Sequence, residues 1–128
     1  MKSICVFAGS ANGSKEVYSQ KAKELGLGIA KRNLSMVYGG GSKGLMGVVA
    51  DAALEGGTSV TGIITEKLHA IEVGHDHLTS LEVVKTMHER KSRMAKLSDA
   101  IISLPGGVGT WEEFFEALAW NQLGIYSK

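Results

Sequence analysis

Short apolar segments rich in β-branched residues alternate with longer segments of helical spacing along almost the whole sequence. The short segments have the length of strands and run over Ile4 to Ala8, Met36 to Tyr38, Val60 to Ile64, Leu81 to Val84 and Ala100 to Leu104. The helical segments run over Lys15 to Arg32, Leu45 to Glu55, Met87 to Leu97 and Thr110 to about Leu123. Only Thr65 to Ser80 breaks the alternation, and we predict a loop there. This order predicts an α/β fold with right-handed crossovers, that is, a Rossmann-like, doubly wound parallel sheet with helices on both faces.

Glycine is concentrated in the loops that lead from a predicted strand into a predicted helix. The chain has 17 glycines in 128 residues, and the richest loops cover residues 9–14, 39–44 and 105–110. In a doubly wound sheet such loops all lie at the carboxyl edge of the strands, and ligands bind there at the point where the strand order reverses. We therefore expect the functional site at this edge.

The loop after the fifth predicted strand has the strongest pattern for binding an anion. Its glycines allow backbone N–H groups to approach a ligand closely, and the helix that follows presents the positive end of its dipole. Thr110, the last residue of the loop, can add a hydroxyl donor. These features predict a cradle for a phosphate group.

The middle loop matches the G-x-G-x-x-G pattern of dinucleotide-binding proteins through Gly39, Gly41 and Gly44, with Glu66 as a possible ribose ligand. The match is weak because the loop follows the second predicted strand, whereas the pattern normally follows the first. An alternative is that these glycines only permit tight turns and close helix packing. The G-x-x-x-x-G-K-[ST] pattern of a P-loop is absent from the sequence.

Two ionisable residues fall in the first turns of predicted helices at the functional edge: Arg90 after the fourth strand and Glu113 after the fifth. If those strands are neighbours, both side chains can face one pocket. Thr86 and Glu89 have the spacing of a helix-capping box, and so do Thr110 and Glu113. We assign Glu89 to capping and Glu113 to catalysis, because Glu113 lies beside the glycine cradle and because of the resemblance described below.

The helix predicted over Met87 to Leu97 carries several charges, a pattern that is usually a solvated face. Helical spacing nevertheless places Met87, Arg90 and Lys91 on one side. Met94 and Leu97 are expected to pack inward.

Charge and cysteine content exclude several classes of protein. Lys and Arg number 14 against 13 Asp and Glu, so the chain lacks the basic excess that binds a nucleic-acid backbone. Cys5 is the only cysteine and lies in an apolar run, where we predict a small core residue in a reducing, cytoplasmic compartment. The N-terminus lacks the pattern of a signal peptide, and no segment approaches membrane-spanning length. We therefore expect no nucleic-acid or membrane partner.

Two further patterns could mark a metal site or a subunit interface. The sequence His75-Asp76-His77 could ligate a metal, but it lacks a third strong ligand, and we expect no metal. The last predicted helix is broadly apolar, which is typical of a core or of a dimer interface. Its large apolar side chains are Trp111, Phe114, Phe115, Leu118 and Trp120. We expect a homodimer.

Three motifs resemble the Lonely Guy family: PGGVGTWEE from Pro105 to Glu113, MHERK from Met87 to Lys91, and GGGSKGLMG from Gly39 to Gly47. The resemblance extends over nearly the whole chain, and the first motif is highly specific. Members of this family are cytokinin riboside 5′-monophosphate phosphoribohydrolases, often mislabelled lysine decarboxylases. The resemblance implies a Rossmann-like homodimer that releases adenine or a modified adenine from the nucleoside 5′-monophosphate, leaves ribose 5-phosphate and needs no cofactor.

By motif, the resemblance implies that Arg90 and Glu113 are the catalytic pair. It implies substrate contacts at Glu72, Met87, Lys91, Gly106, Gly107, Val108, Gly109 and Thr110, and at the less diagnostic positions Ser10 and Gly41. We expect residues 1–128 to form a single nucleotide-binding domain. Family members usually continue into another strand and helix, so either the fold closes with the last predicted helix or residues are missing.

Three readings other than hydrolysis are a decarboxylase, a carrier and an inactive piece. A pyridoxal-phosphate decarboxylase needs a Schiff-base lysine in a large cofactor domain, which 128 residues cannot supply. A nucleotide or molybdopterin-type carrier could use the same glycine cradle without chemistry. A third alternative is a truncated and inactive piece.

Overall fold

Parallel strands and helices alternate through the chain in the computed structural model, which describes residues 2–7, 16–42, 44–71 and 77–103. Within these ranges the elements are β1 (Ser3–Phe7), α1 (Glu16–Lys31), β2 (Ser35–Tyr38), α2 (Gly44–Glu55), β3 (Val60–Thr65), α3 (Glu66–Ile71), β4 (Ser80–Val84), α4 (Met87–Leu97) and β5 (Ala100–Ser103). The predicted strands and α4 are confirmed to within a residue where they fall in these ranges. The predicted helix from Thr110 lies outside them.

The prediction of a loop from Thr65 to Ser80 is wrong at its start, because Glu66–Ile71 forms α3. The Thr65 hydroxyl accepts a hydrogen bond from the backbone N–H of Leu68 at 3.2 Å, which is the interaction of a helix-capping threonine. A helix of 6 residues has less than two turns, so it leaves no apolar periodicity that sequence analysis could detect.

The five strands of the described residues form one parallel sheet in the order β4-β3-β2-β1-β5. The chain adds β2, β3 and β4 successively on one side of β1 and then returns to place β5 on the other side. This reversal defines a doubly wound sheet, and the predicted Rossmann-like α/β fold is confirmed.

Side-chain alternation along the strands builds a core on each face of the sheet. On one face, residues such as Ile4, Val6 and Met36 pack with apolar side chains of α1 and α2. On the opposite face Cys5 packs with Met94 of α4 in a second cluster, whose other buried members are Phe7, Val37 and Ile63. Cys5 is 1% exposed, so its prediction as a core residue is confirmed, as is the inward packing of Met94.

Candidate active site

The strand order reverses between β1 and β5, and doubly wound sheets bind their ligands at the carboxyl edge of such a reversal. Phe7 and Ser103, the last residues of the two strands, are register partners. The segment with Ser10 follows Phe7 in the chain, and the segment with the predicted cradle, Gly106 to Thr110, follows Ser103. Both segments lie outside the described residues. Their attachment points are neighbours at the position that a ligand of this fold class occupies.

The condition that the fourth and fifth strands are neighbours is not met. β4 and β5 lie at opposite edges of the sheet, with three strands between them. Helix α4 begins after β4, packs across the sheet against β3, β2 and β1, and leads into β5. Arg90, in the first turn of α4, therefore lies over the central strands. Its position relative to Glu113 falls outside the described residues.

Arg90 is a buried cation held by backbone carbonyls at the carboxyl edge. Its side chain is 8% exposed. The Nε group donates to the carbonyl of Ile63 in β3 at 2.8 Å, and Nη2 donates to the carbonyl of Gly39, just after β2, at 2.9 Å. Carbonyl dipoles fix the plane of a guanidinium without cancelling its charge, so these two bonds leave the positive charge of Arg90 at a fixed position on this edge.

The backbone after β2 is shaped to receive this guanidinium. A Cβ atom at Gly39 would overlap Nη2 of Arg90, so any side chain at this position would require the guanidinium to move. Gly40 has a φ of +84°, in the region that favours glycine. The alternative that the middle-loop glycines serve turns and close packing therefore accounts for both residues. A dinucleotide site at this loop is not supported, because β2 lies away from the strand reversal.

A capping arrangement fixes the start of α4 and hence the position of Arg90. Thr86 is the N-cap residue, and its hydroxyl accepts from the N–H of Glu89 at 3.0 Å. The Glu89 carboxylate accepts from the backbone N–H of Lys85 at 3.1 Å. In a standard capping box it would accept from the N–H of Thr86, the next residue. The capping role predicted for Glu89 is confirmed.

A second contact, an exposed ion pair between Arg93 and Glu82 at 2.9 Å, joins the next turn of α4 to β4. The hydrogen bond from Arg93 lowers the pKa of Glu82.

The other predicted site residues differ in what the structure describes. Met87 is 41% exposed, and its sulfur lies 3.7 Å from Nη1 of Arg90. Lys91 follows in the same helix and is half-buried, and Gly41 is buried beside the start of α2. Outside the described residues lie the predicted positions Ser10, Glu72, Gly106, Gly107, Val108, Gly109, Thr110 and Glu113. Substrate contact stays a prediction for the whole set.

Sequence analysis missed one residue of this edge, Tyr38 at the end of β2. Its hydroxyl donates to the carbonyl of Gly41 at 2.8 Å, and the side chain is 1% exposed. Its position in the sequence could have revealed this role. A tyrosine that ends a buried strand just before a glycine loop has backbone carbonyls within reach of its hydroxyl.

Across the described ranges, no three residues among His, Cys, Asp and Glu are grouped to hold a metal ion. His75 and Asp76 lie outside those ranges. No helix in the described part of the chain is both long enough and apolar enough to span a bilayer.

A parallel sheet whose order reverses between β1 and β5, with helices between its successive strands, defines a Rossmann-like α/β protein. The family model described as "Possible lysine decarboxylase" matches residues 46–128. The chain belongs to this family, which is the Lonely Guy family, and the predicted resemblance is confirmed.

Among its relatives is the cytokinin riboside 5′-monophosphate phosphoribohydrolase of Rhodococcoides fascians, 52% identical over 99% of this chain and 65% of that protein. An enzyme of the same name from Arabidopsis thaliana is 48% identical over 99% of this chain and 60% of that protein. The chain thus spans less than two thirds of the length of these relatives.

Among solved structures, the molybdenum cofactor binding protein of Rippkaea orientalis matches with a TM-score of 0.77 and 25% identity, over 95% of this chain and 73% of that one.

Proposed function

We propose that this chain carries the site of a nucleoside 5′-monophosphate phosphoribohydrolase. The enzyme would cleave the N-glycosidic bond of AMP or of a cytokinin riboside 5′-monophosphate, releasing the base and ribose 5-phosphate. The observation that carries the proposal is Arg90, a buried guanidinium held by the carbonyls of Ile63 and Gly39 at the ligand-binding edge. The names of relatives at 52% and 48% identity support the substrate class.

The chemistry needs a carboxylate near the anomeric carbon. As the bond from C1′ to the base nitrogen breaks, positive charge builds on the ribose ring, and a carboxylate stabilises this charge more in the transition state than in the ground state. Water adds to C1′, and the departing base takes up a proton. Glu113 is the proposed carboxylate. Cationic groups and a helix N-terminus would favour its ionised form, which suits charge stabilisation or the activation of water.

Arg90 supplies the complementary part of the site. The backbone carbonyls fix its guanidinium plane, so its remaining N–H groups have a defined direction. It can bind the departing base or orient Glu113. The glycine cradle would hold the 5′-phosphate, and that remote binding energy would keep the sugar in place for attack. No metal or redox cofactor enters this scheme.

A carrier of nucleotides or of a molybdopterin-type cofactor is the alternative in a different class. The structural likeness to the molybdenum cofactor binding protein of Rippkaea orientalis favours the carrier, but the sequence identity to that protein is only 25%. The relatives with hydrolase names are about twice as similar. Decarboxylation is not proposed, since those names describe hydrolysis. Incubation with a panel of nucleoside 5′-monophosphates, followed by chromatography for free base, separates the enzyme from the carrier.

We predict that AMP binds and that adenosine binds far more weakly, because the phosphate cradle is the main anchor in this proposal. Replacing Gly107 with Val should block the approach of the backbone to the phosphate and weaken AMP binding while the fold is kept. Isothermal titration calorimetry with both ligands measures the difference. Equal affinity for AMP and adenosine would assign the cradle glycines a structural role only.

We propose that the protein is a cytoplasmic homodimer. Val83 on the edge strand β4 and Met87 on α4 are 46% and 41% exposed, and the apolar helix predicted after Thr110 adds further apolar surface. Light scattering over a range of protein concentrations should give the mass of two chains. The mass of one chain at every concentration would contradict the dimer.

A further inference from the structure

The glycine loop that receives Arg90 is also held by Tyr38. The Tyr38 ring is buried in the core cluster between the sheet and helices α1 and α2. Its hydroxyl emerges at the carboxyl edge and donates to the carbonyl of Gly41 at 2.8 Å. This hydrogen bond spans the loop, because Gly39 and Gly40 lie between its two partners.

Arg90 reaches the same loop from the other face of the sheet. Helix α4, which carries Arg90, packs on the face formed by Val37 and Ile63. The Arg90 guanidinium donates to the carbonyl of Gly39, and the Tyr38 hydroxyl donates to the carbonyl of Gly41, two residues later. The loop is thus fixed at two carbonyls, one from each face, with the positive φ of Gly40 between them.

The Tyr38 hydroxyl stays a donor under all ordinary conditions. Burial raises the pKa of Tyr38 above its usual range, and the nearby negative charge of Asp51 raises it further. A protonated phenol at this site can donate to a carbonyl, whereas a phenolate could not.

We propose that Tyr38 is a positioning residue for the reaction: its hydrogen bond to Gly41 sets the backbone of Gly39 to Gly41, so that the Gly39 carbonyl holds the Arg90 guanidinium in the geometry needed for turnover. This role rests on the proposed hydrolase function. In this proposal Tyr38 acts on the substrate only through Arg90 and the loop. Its ring is packed in the core and so holds the hydroxyl in place at the carboxyl edge.

The test is Tyr38→Phe, which keeps the ring and removes only the hydroxyl. We expect kcat for AMP to fall by roughly 10- to 100-fold, the scale of a small misplacement of a catalytic group, with a smaller change in KM. We also expect a lower unfolding temperature, by about 3 to 6 °C. In NMR spectra, exchange of the Arg90 Nη2 hydrogens with water should become faster, because Nη2 donates to the Gly39 carbonyl that Tyr38 is proposed to position.

The matched control is Ser98→Ala. The Ser98 hydroxyl is also buried and donates to a carbonyl, that of Met94, at 2.7 Å, but it lies at the other end of α4, beside the start of β5. This control should lower the unfolding temperature comparably and leave kcat and the Arg90 exchange rate unchanged. Replacing Tyr38 with 4-aminophenylalanine, which restores a weaker donor, should give values between those of Phe and wild type.

The outcomes separate this proposal from the proposed function. Wild-type kcat and Arg90 exchange in Tyr38→Phe, with only a lower unfolding temperature, would make Tyr38 a core residue and overturn the proposal. If Tyr38→Phe does not fold, 4-fluorophenylalanine at position 38, which fills the space of the hydroxyl without donating, takes its place, and wild-type exchange and kcat in that variant would overturn the proposal. If the wild type releases no base, the proposed hydrolase function fails, and the positioning of Arg90 is still decided by the exchange rates.

Discussion

Glu113→Gln is expected to slow hydrolysis of AMP by about 10²- to 10⁴-fold, the usual scale for a positioned acid–base group. Glutamine is nearly the same size but carries no charge, so it cannot stabilise the ribosyl cation or activate water. It can still complete a capping box with Thr110, and the free energy of unfolding should change little. Affinity for AMP should persist because the phosphate cradle is untouched. Steady-state kinetics and calorimetry on the same preparation measure both quantities.

Glu89→Gln is the matched control for this prediction. Glu89 has the same spacing from Thr86 that Glu113 has from Thr110, and its carboxylate accepts from the backbone N–H of Lys85. It should leave turnover at the wild-type rate. A Glu113→Gln protein that also released adenine at near the wild-type rate would leave Glu113 as a helix cap and remove it from the mechanism.

Arg90→Ala should lower kcat/KM for AMP by about 10²-fold or more, since it removes a positioned cation from the reacting region. It also leaves the carbonyls of Ile63 and Gly39 without this donor, which costs about 1 to 3 kcal/mol for each acceptor that water cannot reach. Arg90→Lys should fail to restore activity, because a single ammonium cannot reproduce the planar fork that meets two carbonyls at once. Phosphate affinity should be affected least.

Gly39→Ala tests the same contact from the acceptor side. The added methyl group would overlap Nη2 of Arg90, so the guanidinium has to leave its position and turnover should fall although Arg90 is still present. Gly28→Ala is the control, because Gly28 lies inside α1, where alanine favours the helix. Full activity in both Arg90→Ala and Gly39→Ala, with folding intact, would show that the buried guanidinium is structural only.

Local patterns predicted most of the fold, and the failures have physical causes. The five strands were predictable because they are short apolar runs rich in β-branched residues, and α4 was predictable because its apolar residues follow helical spacing. The order of the strands is a tertiary property that local patterns do not reveal, so the assumption that β4 and β5 are neighbours was wrong. Helix α3 was missed because its 6 residues are too few to show an apolar period.

The candidate site was predictable in its residue types but not in its contacts. A charge run such as that around Arg90 usually faces solvent, and a local pattern cannot reveal that one of its members is buried. Its acceptors, Ile63 and Gly39, lie 27 and 51 residues away in the sequence. The hydrogen bond from Tyr38 was hidden for a different reason, since it depends on the exact backbone path of the glycine loop.

The central claim, cleavage of the N-glycosidic bond, is tested most directly by the products formed from AMP. The protein is incubated with AMP, phosphorus-containing products are identified by ³¹P NMR, and bases are quantified by chromatography. Our account predicts adenine and ribose 5-phosphate in equal amounts, at a rate that falls sharply in Glu113→Gln. AMP that stays intact in a stable complex with the protein, or that yields adenosine and inorganic phosphate, would contradict it.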